Sequence, residues 1–349
     1  MAEQGMHTRR EILGQTAAWR AALDEFQARK DALRAFWEEG QFSDLVLVGC
    51  GSTYYLSLAV APLFQSLLPL HSVRVAPGSE LLLFPETVLP RGGKPVLLAI
   101  SRSGRTTETV RAARAFRERT GAPVWAISCY ESSPLVQESD LALVAAEGKE
   151  ESVVQTRSFT SMLLLAQASA WFLAHGEPPA DGLPAAGDRL FAEFQGLAQE
   201  LGEDLTLQRF FFLGSGPQYG LACEAALKVK EMTLSHAEAF HFMEFRHGPM
   251  SLVDQATLVV GLLSERAWDY EVEVLREMRT LGARVLALAE APGKGPLPAD
   301  GQVFFASGVP EPLRGVLYVP LLQWMACCRA LRKGLDPDVP KHLSAVVVL

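Results

Sequence analysis

The stretch Val46–Ser52 (VLVGCGS) is echoed far downstream by Phe211–Pro217 (FFLGSGP). Each is an apolar run, then glycine, a small residue and glycine (Gly49 and Gly51, Gly214 and Gly216), then a segment with helical spacing of apolar residues. That order describes a buried strand, a tight turn and a helix whose first-turn amides face the turn. Both copies are followed by further short apolar runs separated by helix-patterned segments. Alternating strand and helix puts helices on both faces of a parallel sheet. The duplication therefore predicts two tandem α/β domains, each a three-layer α/β/α sandwich around a parallel sheet.

In the first half the pattern predicts strands at 44–48, 73–76, 96–100, 124–129 and 141–145, with helices at 106–119 and 158–174. The segment 175–188, HGEPPADGLPAAGD, has linker composition. Beyond it we expect a helix over 190–201, strands at 209–213, 257–262, 284–288 and 302–306, and helices at 218–232, 268–281 and 313–331. The organisation read from the chain is a helical N-terminal segment (1–43), a first domain (44–178), a second domain (189–335) and a tail (336–349). Ile12, Trp19, Leu23, Phe26, Leu33 and Phe36 give the N-terminal segment its amphipathic helical spacing.

Charge and length remove several classes of function. The chain has 349 residues and a formal net charge of −8 with no long basic run, which argues against non-specific nucleic-acid binding. Arg111, Arg114, Arg117 and Arg119 read as a solvated helix face. The most apolar windows, Met162–Ala174 and Val316–Cys328, are interrupted by polar residues and read as buried helices, not membrane spans. The first fifteen residues lack the apolar core of a signal peptide. Five cysteines in apolar surroundings, with no CxxC pair, point to core thiols in a reducing cytoplasm instead of disulfides or zinc ligands.

The chemistry concentrates in a few places. Leu97–Thr109 (LLAISRSGRTTET) carries a strand into Ser101, Arg102, Ser103, Gly104 and Thr106 at a helix entry. Hydroxyls and unpaired first-turn amides there form an anion cradle, with an ordinary N-cap as the alternative. The second half has Ser264-Glu265-Arg266-Ala267 at the matching place, so only the first half is expected to hold a phosphate. Gly49-Cys50-Gly51-Ser52 lacks the third glycine of a dinucleotide fingerprint, and no organic cofactor is expected. Glu224, Lys228 and Glu231 share one helix face, either as a surface ion-pair stripe or as a carboxylate kept ionised for general-base work. His247 precedes Gly248-Pro249 at the end of an element, where a histidine either reaches into a neighbour or is a hydrogen-bonded surface residue. His236 reads as structural. His241, Glu244 and His247, three apart, leave a metal site open as an alternative, although no metal is the expectation.

Five stretches together carry a resemblance: GCGSTYY from Gly49, SRSGRTTET from Ser101, ESVVQTRSFT from Glu151, FLGSGPQYGLACEAALKVKEMTLSHAEAF from Phe212 and EFRHGPMSLVD from Glu244. In this order the chain resembles two-domain SIS (sugar isomerase) proteins: the isomerase half of glucosamine-6-phosphate synthase and stand-alone aminosugar-phosphate deaminases and isomerases. The resemblance implies a phosphate held by Ser101, Arg102 (through its backbone), Ser103 and Thr106, with Ser52 and Thr53 on its other side. Gly51, Val153 and Gln155 would line the sugar pocket. Glu231 would move a proton between C1 and C2 with Lys228 beside it, and His247 would open the sugar ring from the second subunit of a homodimer. The substrate implied is a hexose or aminohexose 6-phosphate, isomerised or deaminated.

The resemblance has departures. The relatives' glutaminase domain, with its N-terminal cysteine, is not expected here, nor is ammonia drawn from glutamine. The tail reads Val339-Pro340-Lys341-His342-Leu343-Ser344-Ala345-Val346, so Ala345 stands where the family pattern has a lysine, and Lys341 would substitute only if the tail shifted. This keeps open a non-catalytic phosphosugar-binding regulator. A lyase of the same fold is disfavoured by the presence of two such units in one chain.

Overall fold

A computed structural model describes residues 4–293 and 295–346. It divides into two compact units, one built on the first half of the chain and one on the second.

Among the described residues the first-half unit comprises 17–150, 157–181 and 344–346. Its sheet contains β1 (Asp44–Gly49), β2 (Ser72–Pro77), β3 (Pro95–Ser101), β4 (Val124–Ser128) and β5 (Leu141–Val144), all parallel, in the order β2-β1-β3-β4-β5. Every residue of β1 is buried, as a strand covered on both faces requires. On one face Val46, Val48, Leu97, Ala99 and Ala126 pack with Val110, Ala113 and Phe116 of the helix Thr107–Thr120.

Among the described residues the second-half unit comprises 4–16, 151–156, 182–293 and 295–343. Its strands β6 (Arg209–Gly214), β7 (His236–Phe240), β8 (Thr257–Leu262), β9 (Arg284–Ala289) and β10 (Gly301–Phe304) run parallel in the order β7-β6-β8-β9-β10. With β6 set against β1, this is the same sheet built twice. Phe211, Leu213, Val259 and Val285 pack with Leu275 and Met278 of the helix Trp268–Thr280.

The glycines that announced the duplication occupy matching conformations. Gly51 (φ 57°, ψ −124°) and Gly216 (φ 55°, ψ −126°) precede the helices Ser52–Leu67 and Pro217–Thr233. Residues with a Cβ avoid that region. At Gly49 and Gly214 a Cβ would lie 2.4 Å from backbone atoms of Thr53 and Gln218, so each strand end abuts its own helix.

The structure differs from the sequence reading at several elements. Helix Leu183–Glu203 begins inside the segment read as linker, leaving only 176–182 between it and the helix Arg157–His175. Strand β7 was not anticipated, nor were the short helices Gly78–Leu83 and Pro85–Val88. The helix expected over 313–331 begins as 3-10 turns and becomes α-helical at Pro320–Arg332. His236, read as structural, opens β7 with its side chain 55% exposed.

The grouping of 151–156 with the second half has a polar cause. Helix Met6–Leu13 offers Glu11, fully buried, to the N–H groups of Glu151 (2.6 Å) and Ser152 (3.4 Å). Asp338 accepts the Thr8 N–H and hydroxyl, both at 2.7 Å, and its carbonyl accepts the Val153 N–H at 3.0 Å.

Candidate functional site

In the first-half unit the connections diverge between β1 and β3: β1 leads outward to β2, while β3 leads the other way to β4. Ligands of open α/β sheets settle at the carboxyl ends of strands at such a switch point. Both loops singled out in the sequence emerge there. After β1 come Gly51, Ser52 and Thr53, the latter two almost fully buried. The Thr53 hydroxyl closes a local turn, donating to Cys50 O at 3.0 Å and accepting the Cys50 N–H at 2.9 Å.

After β3 the loop Ser101–Thr106 is held on both sides. Ser101 Oγ accepts the Gly104 N–H at 3.1 Å and donates to Thr106 Oγ1 at 3.4 Å, while Ser103 Oγ accepts the Arg105 N–H at 3.1 Å. Arg102 O accepts the Cys129 N–H and the Ser128 hydroxyl. Gly104 has φ +59°, and a Cβ there would lie 2.0 Å from Ser133 Oγ. Thr106 is the N-cap residue of Thr107–Thr120, yet its side chain makes no capping hydrogen bond. The ordinary N-cap alternative thus loses its defining contact. Ser103 and Thr106 remain half-exposed at the positive end of a 14-residue helix.

The matching loop of the second half is closed by the protein's own carboxylates, a feature sequence reasoning missed. Glu271 Oε2 accepts the Ser264 N–H at 2.7 Å, and Glu311 Oε1 accepts the Glu265 N–H at 2.9 Å. Glu271 is 1% exposed, and burial pushes its pKa up from the usual 4.5 to about 7 against the lowering effect of the Ser264 and Ser215 hydrogen bonds. The available signal was a glutamate one helical turn into Trp268–Thr280, placed to turn back on its own N-terminal loop.

The second-half unit holds the other group of candidates. On helix Pro217–Thr233, Lys228 Nζ lies 3.2 Å from Glu224 Oε1 and 2.6 Å from Glu231 Oε2. The surface-stripe alternative fails on burial: the side chains of Lys228 and Glu224 are 1% and 0% exposed, while Glu231 is 20% exposed. Burial pulls the lysine down, but the two carboxylates outweigh it and hold its pKa above the usual value. The result is an ammonium held between one sealed carboxylate and one that reaches solvent.

Gln155 Oε1 is buried and has no hydrogen-bond partner among the described residues, an unmet acceptor that a ligand hydroxyl would satisfy. Val153, two residues earlier, is half-buried. His247 is exposed between the one-turn helix Phe242–Phe245 and Gly248, its N–H donating to Glu244 O at 2.9 Å. His241 and His247 thus flank that turn instead of sharing a helix face. The His241 ring stacks on Tyr219 with centroids 3.8 Å apart, and burial lowers its pKa. No cluster of three or more His, Cys, Asp or Glu suited to a metal ion occurs among the described residues.

The duplicated sheet and the serine loop at its switch point define a class. The chain belongs to the SIS domain family, whose model matches residues 42–171 and 207–298. It is 30% identical to the glutamine–fructose-6-phosphate aminotransferase (isomerizing) of Gluconobacter oxydans over 99% of this chain, and it spans 58% of that protein's length. Among solved structures it is similar to tagatose-6-phosphate ketose/aldose isomerase from Escherichia coli (25% identity, TM-score 0.86, covering 99% of this chain and 96% of that one). Glucosamine-6-phosphate deaminase from Thermotoga maritima is also similar (28% identity, TM-score 0.74, covering 94% of this chain and 100% of that one).

Proposed function

We propose that this protein is a phosphosugar isomerase or isomerising deaminase acting on a hexose or aminohexose 6-phosphate. The observation that carries the reading is the Glu224–Lys228–Glu231 triad. A base that shuttles a proton between adjacent carbons must be ionised at neutral pH and reachable. Glu231 stands 2.6 Å from a buried ammonium and is partly exposed, which supports that role. The names of the Escherichia coli and Thermotoga maritima relatives support the substrate class.

In this reading the Ser101–Thr106 loop takes the phosphate through Ser103 and Thr106 and the helix N-terminus, with Ser52 and Thr53 completing that side. On the second-half unit Gln155 accepts a sugar hydroxyl with Val153 nearby, and on the first-half unit Gly51 faces the sugar. Glu231 removes a proton from one of C1 and C2 and returns it to the other, with Lys228 beside it. His247 opens the ring, contributed by the second subunit of a homodimer. Five free cysteines fit a reducing cytoplasm, and among the described residues no helix is long and apolar enough to cross a membrane.

A second reading, a regulator that binds phosphosugar without turning it over, draws on Ala345 in the tail. Incubation with a panel of hexose and aminohexose 6-phosphates, following ketose and ammonia together, separates the two. Ketose alone identifies an isomerase and ammonia a deaminase. Thermal stabilisation with neither product identifies the regulator and overturns the enzymatic reading.

A further inference from the structure

The second-half unit contains a cavity that the phosphosugar reading does not use. It lies at the carboxyl ends of β8 and β9, between the loops that follow them, and has a volume of about 220 Å³. Leu263, Trp268 and Pro292 give it apolar walls, and Glu265, Glu290 and Arg314 supply its charged groups. The Arg314 side chain is 2% exposed. Its Nη1 donates to Val309 O at 3.1 Å, whereas Nε and Nη2 are buried and make no hydrogen bond among the described residues. Glu265 Oε1 covers Nη2 at 2.8 Å but outside hydrogen-bonding geometry, and the Glu265 side chain is 62% exposed. Glu290 Oε2 lies 3.7 Å from Nε, and its carboxylate is held by the Ser307 hydroxyl (2.8 Å) and the Gly308 N–H (2.7 Å). Glu311 Oε1, 3.8 Å from Nη2, already accepts from the Glu265 N–H and the Gln218 amide.

We propose that this cavity is a second ligand site, for an unphosphorylated aminosugar: a small ring bearing hydroxyls and an ammonium. Nε and Nη2 form one edge of the guanidinium fork, placed to give two parallel hydrogen bonds. Buried donors left unmet cost stability until an acceptor reaches them. A phosphate would accept from both, but it would enter against three carboxylates. Hydroxyl oxygens accept from the fork without that repulsion, and their protons can pass onward to the fixed Glu290. Glu265 gives up its place over Nη2, a rotamer change that exposed side chains make quickly. It then faces the ammonium. The carboxylates outnumber the guanidinium, so a cation is favoured over a neutral ring. Trp268 and Pro292 cover the apolar C–H surface of the sugar, as the walls of small-molecule sites do. None of these residues belongs to the proposed phosphosugar site, so the two readings stand or fall separately.

The test is fluorine NMR of the full chain labelled with fluorotryptophan, the Trp268 resonance being assigned by its loss in Trp268→Phe. Millimolar D-glucosamine should shift that resonance saturably, and added fructose 6-phosphate should not reverse the shift. Glucose and methylamine each carry half of the recognised chemistry and should bind roughly tenfold more weakly, the worth of one hydrogen bond to a charged group. Glucosamine 6-phosphate should also bind more weakly than glucosamine. Glu265→Gln should weaken glucosamine by a similar factor and leave glucose unchanged. Arg314→Lys keeps the buried charge but loses the fork, and it should weaken both sugars. Should that variant fail to fold, Ala291→Phe fills the cavity from its exposed rim and should abolish the shift. No saturable Trp268 shift, a shift that survives Ala291→Phe, or reversal by fructose 6-phosphate would overturn the site. Glucose binding as tightly as glucosamine, or no effect of Glu265→Gln, would overturn the ammonium assignment.

Discussion

In the proposed function Ser103 and Glu271 have opposite tasks at the matching loops of the two halves. Ser103 is proposed to donate its hydroxyl to the ligand phosphate, and hydrogen bonds to charged groups contribute about 1.5–3 kcal/mol. Ser103→Ala is therefore predicted to raise KM roughly tenfold or more with kcat little changed, measured by steady-state kinetics on the active phosphosugar. Glu271 fills the second-half loop from within. Its folded pKa of about 7 lies above the usual 4.5, so the folded state holds its proton more tightly. The carboxyl then costs stability increasingly as pH rises from about 4.5 to about 7, and fully above that. At one pKa unit per ~1.4 kcal/mol, the full cost is on the order of 3 kcal/mol. Glu271→Gln should match the wild type near pH 4.5 and gain on it by pH 8 in denaturant melts. A pH-independent difference between the two proteins would contradict this account of the site.

At the scale of elements, each sheet depends on one helix face packed against its strands. Leu275 is fully buried between helix Trp268–Thr280 and the second sheet, and one of its methyls would lie 2.9 Å from a Cβ placed at Gly261. Leu275→Ala should cost about 2–5 kcal/mol in denaturant unfolding, with no change in the first-half phosphate loop. Strand positions were legible where apolar runs met turn residues, and the Gly49/Gly214 pairing marked the duplication directly. Strand β7 escaped because His236-Ala237-Glu238-Ala239-Phe240 mixes charge with small residues, as an edge strand can. The start of Leu183–Glu203 was hidden by Pro184 and Gly187, which read as breakers, although proline is welcome in a first helical turn. The serine loop and the Glu224–Lys228–Glu231 face were visible as patterns. What periodicity could not supply was the missing capping hydrogen bond at Thr106, which counts against the cap, and the burial of Lys228 and Glu224, which counts against the surface stripe. Of the carboxylates closing the second-half loop, Glu271 left a local signal that was missed, while Glu311 was invisible because it lies forty-six residues from its partner Glu265.

For the whole molecule, the proposal places the ring-opening histidine on the second subunit, and subunit mixing tests it. Glu231→Gln and His247→Ala homodimers should each be nearly inactive. Unfolded together and refolded, a 1:1 mixture should recover about a quarter of wild-type activity, because half the dimers are mixed and each mixed dimer rebuilds one of two sites. No recovery despite confirmed subunit exchange would place His247 and Glu231 in the same chain's site. The central claim is that Glu231 carries the proton between C1 and C2. Its most direct measurement is deuterium wash-in at those carbons, followed by NMR with the active phosphosugar in D2O. The wild type should introduce deuterium at the rate of turnover. Glu231→Gln should slow wash-in by a factor of roughly 100–10,000 while phosphosugar binding persists. Wash-in at the wild-type rate in Glu231→Gln would contradict the account.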